Sequence, residues 1–372
     1  MKFKADRATL LKALGHIQSV AEKRNTIPIL ANTLIRVDGG GLGFTATDME
    51  IAVVEEVAAD AVRDGATTAP AATLYEIVRK LPEGAQVELD HPGGDAPMAL
   101  RAGRYATSLV TLPVDDFPSM TAGQLPHGFR LPAGALQKLI DRTRFAISTE
   151  ETRYYLNGIY LHAGGTAKQP SLRAVATDGH RLAQVDLPQP AGAAEMPGVI
   201  VPRKTVGEVQ RLIEDNDSEI RIELSQGKIR FTLGQVVLTS KLIDGTFPDY
   251  GRVIPQNNDK ELIVDKADFA AAVDRVSTIS SERGRAVKLA LSPGRLVLSV
   301  TNPDSGSATE ELEVEYAADA LDIGFNSRYL LDIAAQIEGE VAVLRLADPG
   351  SPTLIQDRDN RNALYVLMPM RV

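Results

Sequence analysis

The chain is predicted to be an α+β protein made of three similar units, each with helices on one face of antiparallel sheet. Its 372 residues are more than a single core usually holds. A motif of apolar stretch, glycine turn, apolar stretch and Thr-Asp recurs with offsets of 130 (48 to 178) and 124 (178 to 302). Inside each copy the apolar period alternates between that of a helix and that of a strand.

Taken in chain order, Leu10, Leu14 and Ile17 share one face of a helix expected over 7–24. Residues 34–37, the turn Gly39-Gly40-Gly41 and residues 42–45 read as a hairpin that runs into Ala46-Thr47-Asp48. A shorter helix over 72–80 follows, and Val87 and Leu89 alternate as a strand. Residues 119–127 are uncharged with Gly and Pro, which places a boundary near 124.

The second unit repeats the plan. Pro132 opens a helix over 134–144 with Leu136, Leu139 and Ile140 on its apolar face. Residues 159–161, Gly164-Gly165 and residues 172–175 form the hairpin before Ala176-Thr177-Asp178, and a helix over 203–214 precedes a strand with Ile220, Ile222 and Leu224. The polar segment 255–259 sets the next boundary near 254.

In the third unit Asp265 starts a helix over 266–275 bearing Phe269 and Val273. Residues 288–291, Pro293-Gly294 and residues 296–300 end at Thr301-Asn302, a helix over 327–338 follows, and Val341, Val343 and Leu346 return to the strand period. A second marker agrees: Pro70-Ala71-Ala72-Thr73 matches Pro202-Arg203-Lys204-Thr205, and Asn326-Ser327-Arg328-Tyr329 follows at a similar offset. The expected domains are 1–124, 125–254 and 255–372.

Composition removes several function classes. No run of 18 apolar residues exists, and charges interrupt the first residues, so neither a membrane span nor a secretory leader is expected. The absence of Cys rules out thiolate catalysis and fits a cytoplasmic location. A net charge of −9 argues, taken alone, against a phosphate-backbone partner. No P-loop, H-E-x-x-H, G-x-S-x-G or EF-hand pattern appears, so no metal or cofactor is expected. Asp357-Arg358-Asp359-Asn360 reads as a hairpin turn rather than a metal loop.

Three features remain to be placed. Thr177-Asp178-Gly179-His180-Arg181 combines an acid, a base and a hydroxyl, which a hydrolase could use. Asp48 holds the equivalent place with no His beside it, which favours an architectural turn. The chain ends in Leu367-Met368-Pro369-Met370-Arg371-Val372, either a last core strand or an adaptable apolar surface. Finally, the six helix windows hold 15 Lys and Arg against 9 Asp and Glu, a net of +6 that leaves −15 for the rest of the −9 chain.

Arg153-Tyr154-Tyr155-Leu156-Asn157-Gly158, Ala176-Thr177-Asp178-Gly179-His180-Arg181-Leu182, Val201-Pro202-Arg203-Lys204, Ser240-Lys241-Leu242, Phe247-Pro248-Asp249-Tyr250 and Met368-Pro369-Met370-Arg371 together resemble the bacterial β sliding clamps, the β subunits of DNA polymerase III. The likeness runs the whole length of the chain. It implies three DNA-clamp domains per chain and a head-to-tail homodimeric ring with helices on the inner face. Twelve helices about 10 Å apart around such a ring leave a bore of roughly 28 Å, wide enough for a hydrated duplex. The implied partners are double-stranded DNA, encircled without sequence preference, and the polymerase III alpha subunit, the clamp loader, other DNA polymerases and repair proteins. No catalytic site and no membrane contact are implied.

By position, the resemblance assigns DNA contact to Arg24, Tyr154, Tyr155 and Lys204. It assigns a partner-peptide pocket to Leu156, Thr177, Gly179, His180, Arg181 and Leu182 from the second unit. Pro248, Arg252 and Val253 belong to it from the connector, and Asn326 and Tyr329 from the last helix. Val366, Met368, Pro369, Met370, Arg371 and Val372 complete it, which turns the terminal methionines toward a binding surface. Dimer contacts fall to Arg104 and Leu109 on one side and Ile279, Glu310 and Glu311 on the other. Two residues depart from the family pattern: Val372 stands where Leu is familiar, and Glu150 where a neutral polar residue is. A hydrolase using Asp178 and His180, and a β-rich adaptor without DNA, are the competing readings.

Overall fold

A computed structural model describes residues 1–21, 26–213, 217–280 and 285–372. Among them are six α-helices: α1 (Arg7–Ile17), α2 (Ala71–Lys80), α3 (Ala133–Asp141), α4 (Arg203–Leu212), α5 (Lys266–Ser277) and α6 (Ser327–Ala334). Each overlaps an expected window, two per repeat. No helix is long and apolar enough to cross a membrane among the described residues.

Helix ends differ from expectation for one physical reason. Helix α6 stops short of the expected 338, and α1 ends at Ile17 while its expected end at 24 lies outside the described residues; the turns that follow tighten, with Val20 N–H donating to the Ile17 carbonyl and Gln336 and Ile337 to those of Ile333 and Ala334. Apolar periodicity continues through such turns, so it overestimates the helix. Starts are sharper. The Asp265 carboxylate accepts from Asp268 N–H at 2.9 Å at the head of α5, and the Asn326 side chain accepts from Arg328 and Tyr329 N–H at 3.0 and 3.4 Å at the head of α6.

Two compact units are present, one of Met1–Gln137, Pro190–Pro197 and Lys204–Leu242, the other of Lys138–Gln189, Gly198–Arg203 and Ile243–Val372. Both are built on the same principle. In the first, an eight-stranded antiparallel sheet joins the hairpin of the first repeat to strands of the second, with Ile51–Val57 paired to Val236–Lys241 at the seam. In the second, a nine-stranded sheet joins the second repeat to the third, with Arg181–Pro188 paired to Ala363–Leu367. Sheets therefore run across the repeat boundaries near 124 and 254.

Each unit also carries a smaller sheet with a free edge. The five-stranded sheet of the first unit ends on Tyr105–Leu109, and the four-stranded sheet of the second ends on Gly306–Glu313.

The repeated turn is reproduced in detail. Thr47 Oγ1 donates to the Ile51 carbonyl and Asp48 Oδ1 accepts from Glu50 and Ile51 N–H. Thr177 Oγ1 donates to the Arg181 carbonyl and Asp178 Oδ1 accepts from His180 and Arg181 N–H. Thr-Asp is thus a strand-end turn that closes on its own backbone. Asp357 likewise accepts from Asp359 and Asn360 N–H, closing the hairpin expected between the two C-terminal strands.

Candidate functional site

In the second unit a cleft of about 280 Å³ opens over the sheet seam, lined by Arg153, Tyr155, Leu156, Thr177, Gly179, His180, Arg181, Leu182, Pro248, Asp249, Tyr250, Val253, Val366 and Met368. Its floor follows from register. Leu182 faces Val366 directly across the seam, and Thr177 faces Leu182 on the other side. Alternation sends these apolar side chains to one face, where Leu156, Val175, Leu182, Ile200, Phe247 and Val366 form one buried cluster.

The polar wall is held rigidly. Arg181 Nε donates to Asp178 Oδ2 at 3.1 Å, Nη1 to Asp332 Oδ2 at 2.5 Å and Nη2 to the Phe145 carbonyl at 2.6 Å. Its guanidinium carbon stands 4.2 Å from the centre of the Tyr329 ring and 5.0 Å from that of Phe145. Gly179 has a φ of +90°, and a Cβ there would come within 2.5 Å of Arg153 Nη1. The Asp178 carboxylate is committed to the turn and to Arg181, and the His180 ring stacks 6.5 Å from that of Tyr329.

Glu150, the departure noted above, forks onto Arg153 with contacts of 2.8 and 2.6 Å. That hydrogen bond holds the Glu150 carboxyl below the usual glutamate range. Its charge is met within the same short turn.

The chain end forms the opposite rim. The last strand ends at buried Leu367, only an isolated bridge of Met370 to Gly324 follows, and Met368, Met370 and Val372 are 39%, 36% and 63% exposed, so the last residues are not a core strand. Met370 N–H donates to the Gly324 carbonyl at 2.8 Å. A Cβ on Gly324 would collide with Val372 Cγ1 and, at 2.7 Å, with the Met370 carbonyl oxygen. Gly324→Ala is therefore expected to dislodge the tail and weaken ligand binding at the cleft about tenfold without changing the melting temperature by more than ~2 °C, measured by ligand titration and thermal unfolding.

The remaining expected residues are placed as follows. Arg252 is exposed and paired with Asp249 at 2.8 Å, on the turn that carries Val253. Asn326 caps α6, and Tyr329 supports Arg181 from below. Pro369 is half-buried and Arg371 exposed, outside the cleft lining. Tyr154 is 53% exposed and meets Tyr155 edge-on at 5.8 Å, while Tyr155 itself lines the cleft.

Lys204, in the first unit, pairs with Asp48. Arg24 lies outside the described residues. Arg104 is exposed in the turn before the free strand edge and Leu109 is buried at its end. Ile279 is half-buried, Glu310 is bonded to Arg275 at 2.9 Å, and Glu311 to Arg295 at 2.5 Å. Of the helix cations, Arg142 is buried beside Glu338 and does not face solvent.

Sequence reading did not include Arg153, Asp249 and Tyr250 in the pocket. Tyr250 had a signal, an aromatic side chain directly after Pro248-Asp249, but a turn motif does not say what its ring covers.

Models of the DNA polymerase III beta subunit match this chain in three places: the N-terminal domain at residues 1–121, the central domain at 130–249 and the C-terminal domain at 251–371. The beta sliding clamp of Caulobacter vibrioides is 53% identical over 372 residues, with all of both chains covered. That of Escherichia coli is 39% identical over 373 residues, again with both covered in full. A DnaN sliding clamp from Bartonella birtlesii bound to griselimycin superposes with a TM-score of 0.97 at 52% identity, covering 100% of each chain. The Caulobacter crescentus clamp superposes with a TM-score of 0.98 at 53% identity, covering 100% of this chain and 99% of the other.

Proposed function

Because the chain belongs to the DNA polymerase III beta subunit family of sliding clamps, we propose that two copies close head to tail into a ring that encircles duplex DNA and tethers the replicative polymerase through the cleft. The observation that carries the ring is the pair of free edges. Every repeat joint within the chain is a continuous antiparallel sheet of eight or nine strands. The two smaller sheets among the described residues have five and four strands, and pairing the Tyr105–Leu109 edge of one copy with the Gly306–Glu313 edge of another completes a nine-stranded sheet like that of the joint within the chain. Arg104 and Leu109 then meet Ile279, Glu310 and Glu311, with Arg104 beside an acidic strand. Domain cuts at 124 and 254 make each joint equivalent.

DNA is held by topology. Tyr154, Tyr155, Lys204 and Arg24 touch the duplex weakly, and an acidic exterior discourages binding from outside. The cleft takes short peptides with Gln and Leu/Phe anchors, as the apolar floor of Leu156, Leu182 and Val366 fits side chains that supply most of such binding energy. Its owners are the polymerase III alpha subunit, the clamp loader, other polymerases and repair proteins. The protein works in the cytoplasm as a processivity factor and not as a catalyst; the engagement of Asp178 by backbone and Arg181 supports that reading over hydrolysis.

The native mass is expected to be near twice the 40.0 kDa chain. Protein loaded with clamp loader and ATP should remain on circular DNA and run off linear DNA. Equal retention on both forms would refute a topological hold.

A further inference from the structure

Tyr250 lines the cleft, and its hydroxyl meets a polar row that is not part of the cleft lining. His162, Arg173 and Asp186 are direct cross-strand neighbours on three adjacent strands of the second unit, His162 opposite Arg173 and Arg173 opposite Asp186. Tyr250 Oη lies 2.9 Å from His162 Nε2 and accepts from Arg173 Nη1 at 3.3 Å. Arg173 is fixed in turn by a fork onto Asp186 at 2.7 and 3.1 Å, and Asp186 accepts also from Ser171 and Gln184. The wall segment that carries Tyr250 is anchored nearby by buried Phe247, stacked on Tyr160 at 4.9 Å with 7° between the rings, and Tyr160 stacks on His162 at 4.6 Å.

We infer that His162 and Arg173 are positioning residues for the partner cleft, holding Tyr250 and the 248–253 wall in the binding geometry, and that His162 makes this hold sensitive to pH. The inference rests on the reading of the cleft as a peptide site.

The tautomer follows from the contacts. His162 Nδ1 lies 2.6 Å from the Ala163 carbonyl, which can only accept, so Nδ1 carries the proton. The neutral ring then offers the Nε2 lone pair to the Tyr250 hydroxyl, while the phenol oxygen accepts from Arg173. All three groups are satisfied. Protonation turns Nε2 into a donor, leaves the hydroxyl proton without its acceptor and puts a second cation beside Arg173. Groups facing His162 are Tyr160 on its own strand, Arg173 and Asp186 on the neighbouring strands, and Tyr250 on the turn. Burial lowers the His162 pKa below its ordinary value, and the Arg173 charge adds to the effect. The neutral form is thus the native one, and the hold is lost as pH falls below the ordinary histidine range.

The test is binding of griselimycin to the full-length protein across pH, for wild type and five variants. His162→Ala and Tyr250→Phe should each weaken binding about five- to tenfold at neutral pH, the scale of one or two neutral hydrogen bonds. The double variant should lose no more than Tyr250→Phe alone, because the hydroxyl contact that His162→Ala removes is already absent there. His162→Gln, whose side-chain oxygen can accept from the phenol, should retain neutral-pH affinity and bind less steeply with pH than wild type. His180→Ala separates the pH response of the cleft's own imidazole. Wild-type affinity in Tyr250→Phe, or an unchanged pH profile in His162→Gln, overturns the inference. Failure of the wild type to bind griselimycin at any pH would instead overturn the peptide-cleft reading on which it rests.

Discussion

Removal of residues 368–372 is expected to reduce affinity for griselimycin, or for a peptide with Gln and Leu/Phe anchors, by about 100-fold or more, the equivalent of losing two anchoring contacts. The dimer should survive. Leu367 is the last residue of the final strand and is fully buried, so the strand and its core end before the deletion starts; the tail beyond it adds only an isolated bridge of Met370 to Gly324. What is lost is the rim: Met368 lines the cleft, and Met370 and Val372 are pinned to Gly324. Titration calorimetry for the ligand and native mass for the dimer measure the two quantities separately. Intact ligand affinity would move the site away from the chain end, and a monomeric mass would mean that the tail also supports assembly.

Arg181→Met should have the second large effect, this time on stability as well as binding. The Arg181 side chain is 9% exposed and makes three hydrogen bonds besides lying over two rings. Methionine fills much of the volume but leaves Asp332 and the Phe145 carbonyl without their donor. A cost of about 3 kcal/mol is expected, discounted from the range for fully buried pairs because Asp332 is partly solvated. That corresponds to a fall in melting temperature of roughly 6–10 °C for a unit of this size. Arg181→Lys should rescue little, since an ammonium cannot reach Asp178, Asp332 and Phe145 together. Thermal unfolding with and without ligand measures both consequences, and a melting point within ~2 °C of wild type would show the network to be energetically neutral.

Much of the site was legible because the sequence repeats. Thr47-Asp48 and Thr177-Asp178 had to share a structure, so the second pair could be read as a turn rather than as catalytic apparatus, and the hydrogen bonds agree. His180 and Arg181 then stood out as what the second copy adds. Asn326 was assigned to the pocket by the resemblance, and its role as a helix cap is local chemistry.

Other features were not legible for equally specific reasons. Arg142 counted as a helix cation but is buried against Glu338, an acid on a distant segment. Both members of that pair were counted in the helix windows, so the balance of +6 stands while one of its cations is buried away from solvent. Tyr250, His162 and Arg173 are far apart in the chain and share no motif, so nothing in their spacing announces that one hydroxyl joins them.

Sequence alone determined the three repeats, the six helices, the antiparallel hairpins and the turns that end them. These depend on periodicity and on side chains bonding to backbone within a few residues, interactions that short windows contain. Only the tertiary structure decided that sheets continue across the repeats, that Leu182 meets Val366, and that exposed Met368 lines the cleft they form. Pairing between distant strands is set by which edges are free and which faces must be buried together. That is a property of the assembled chain, which no local window carries.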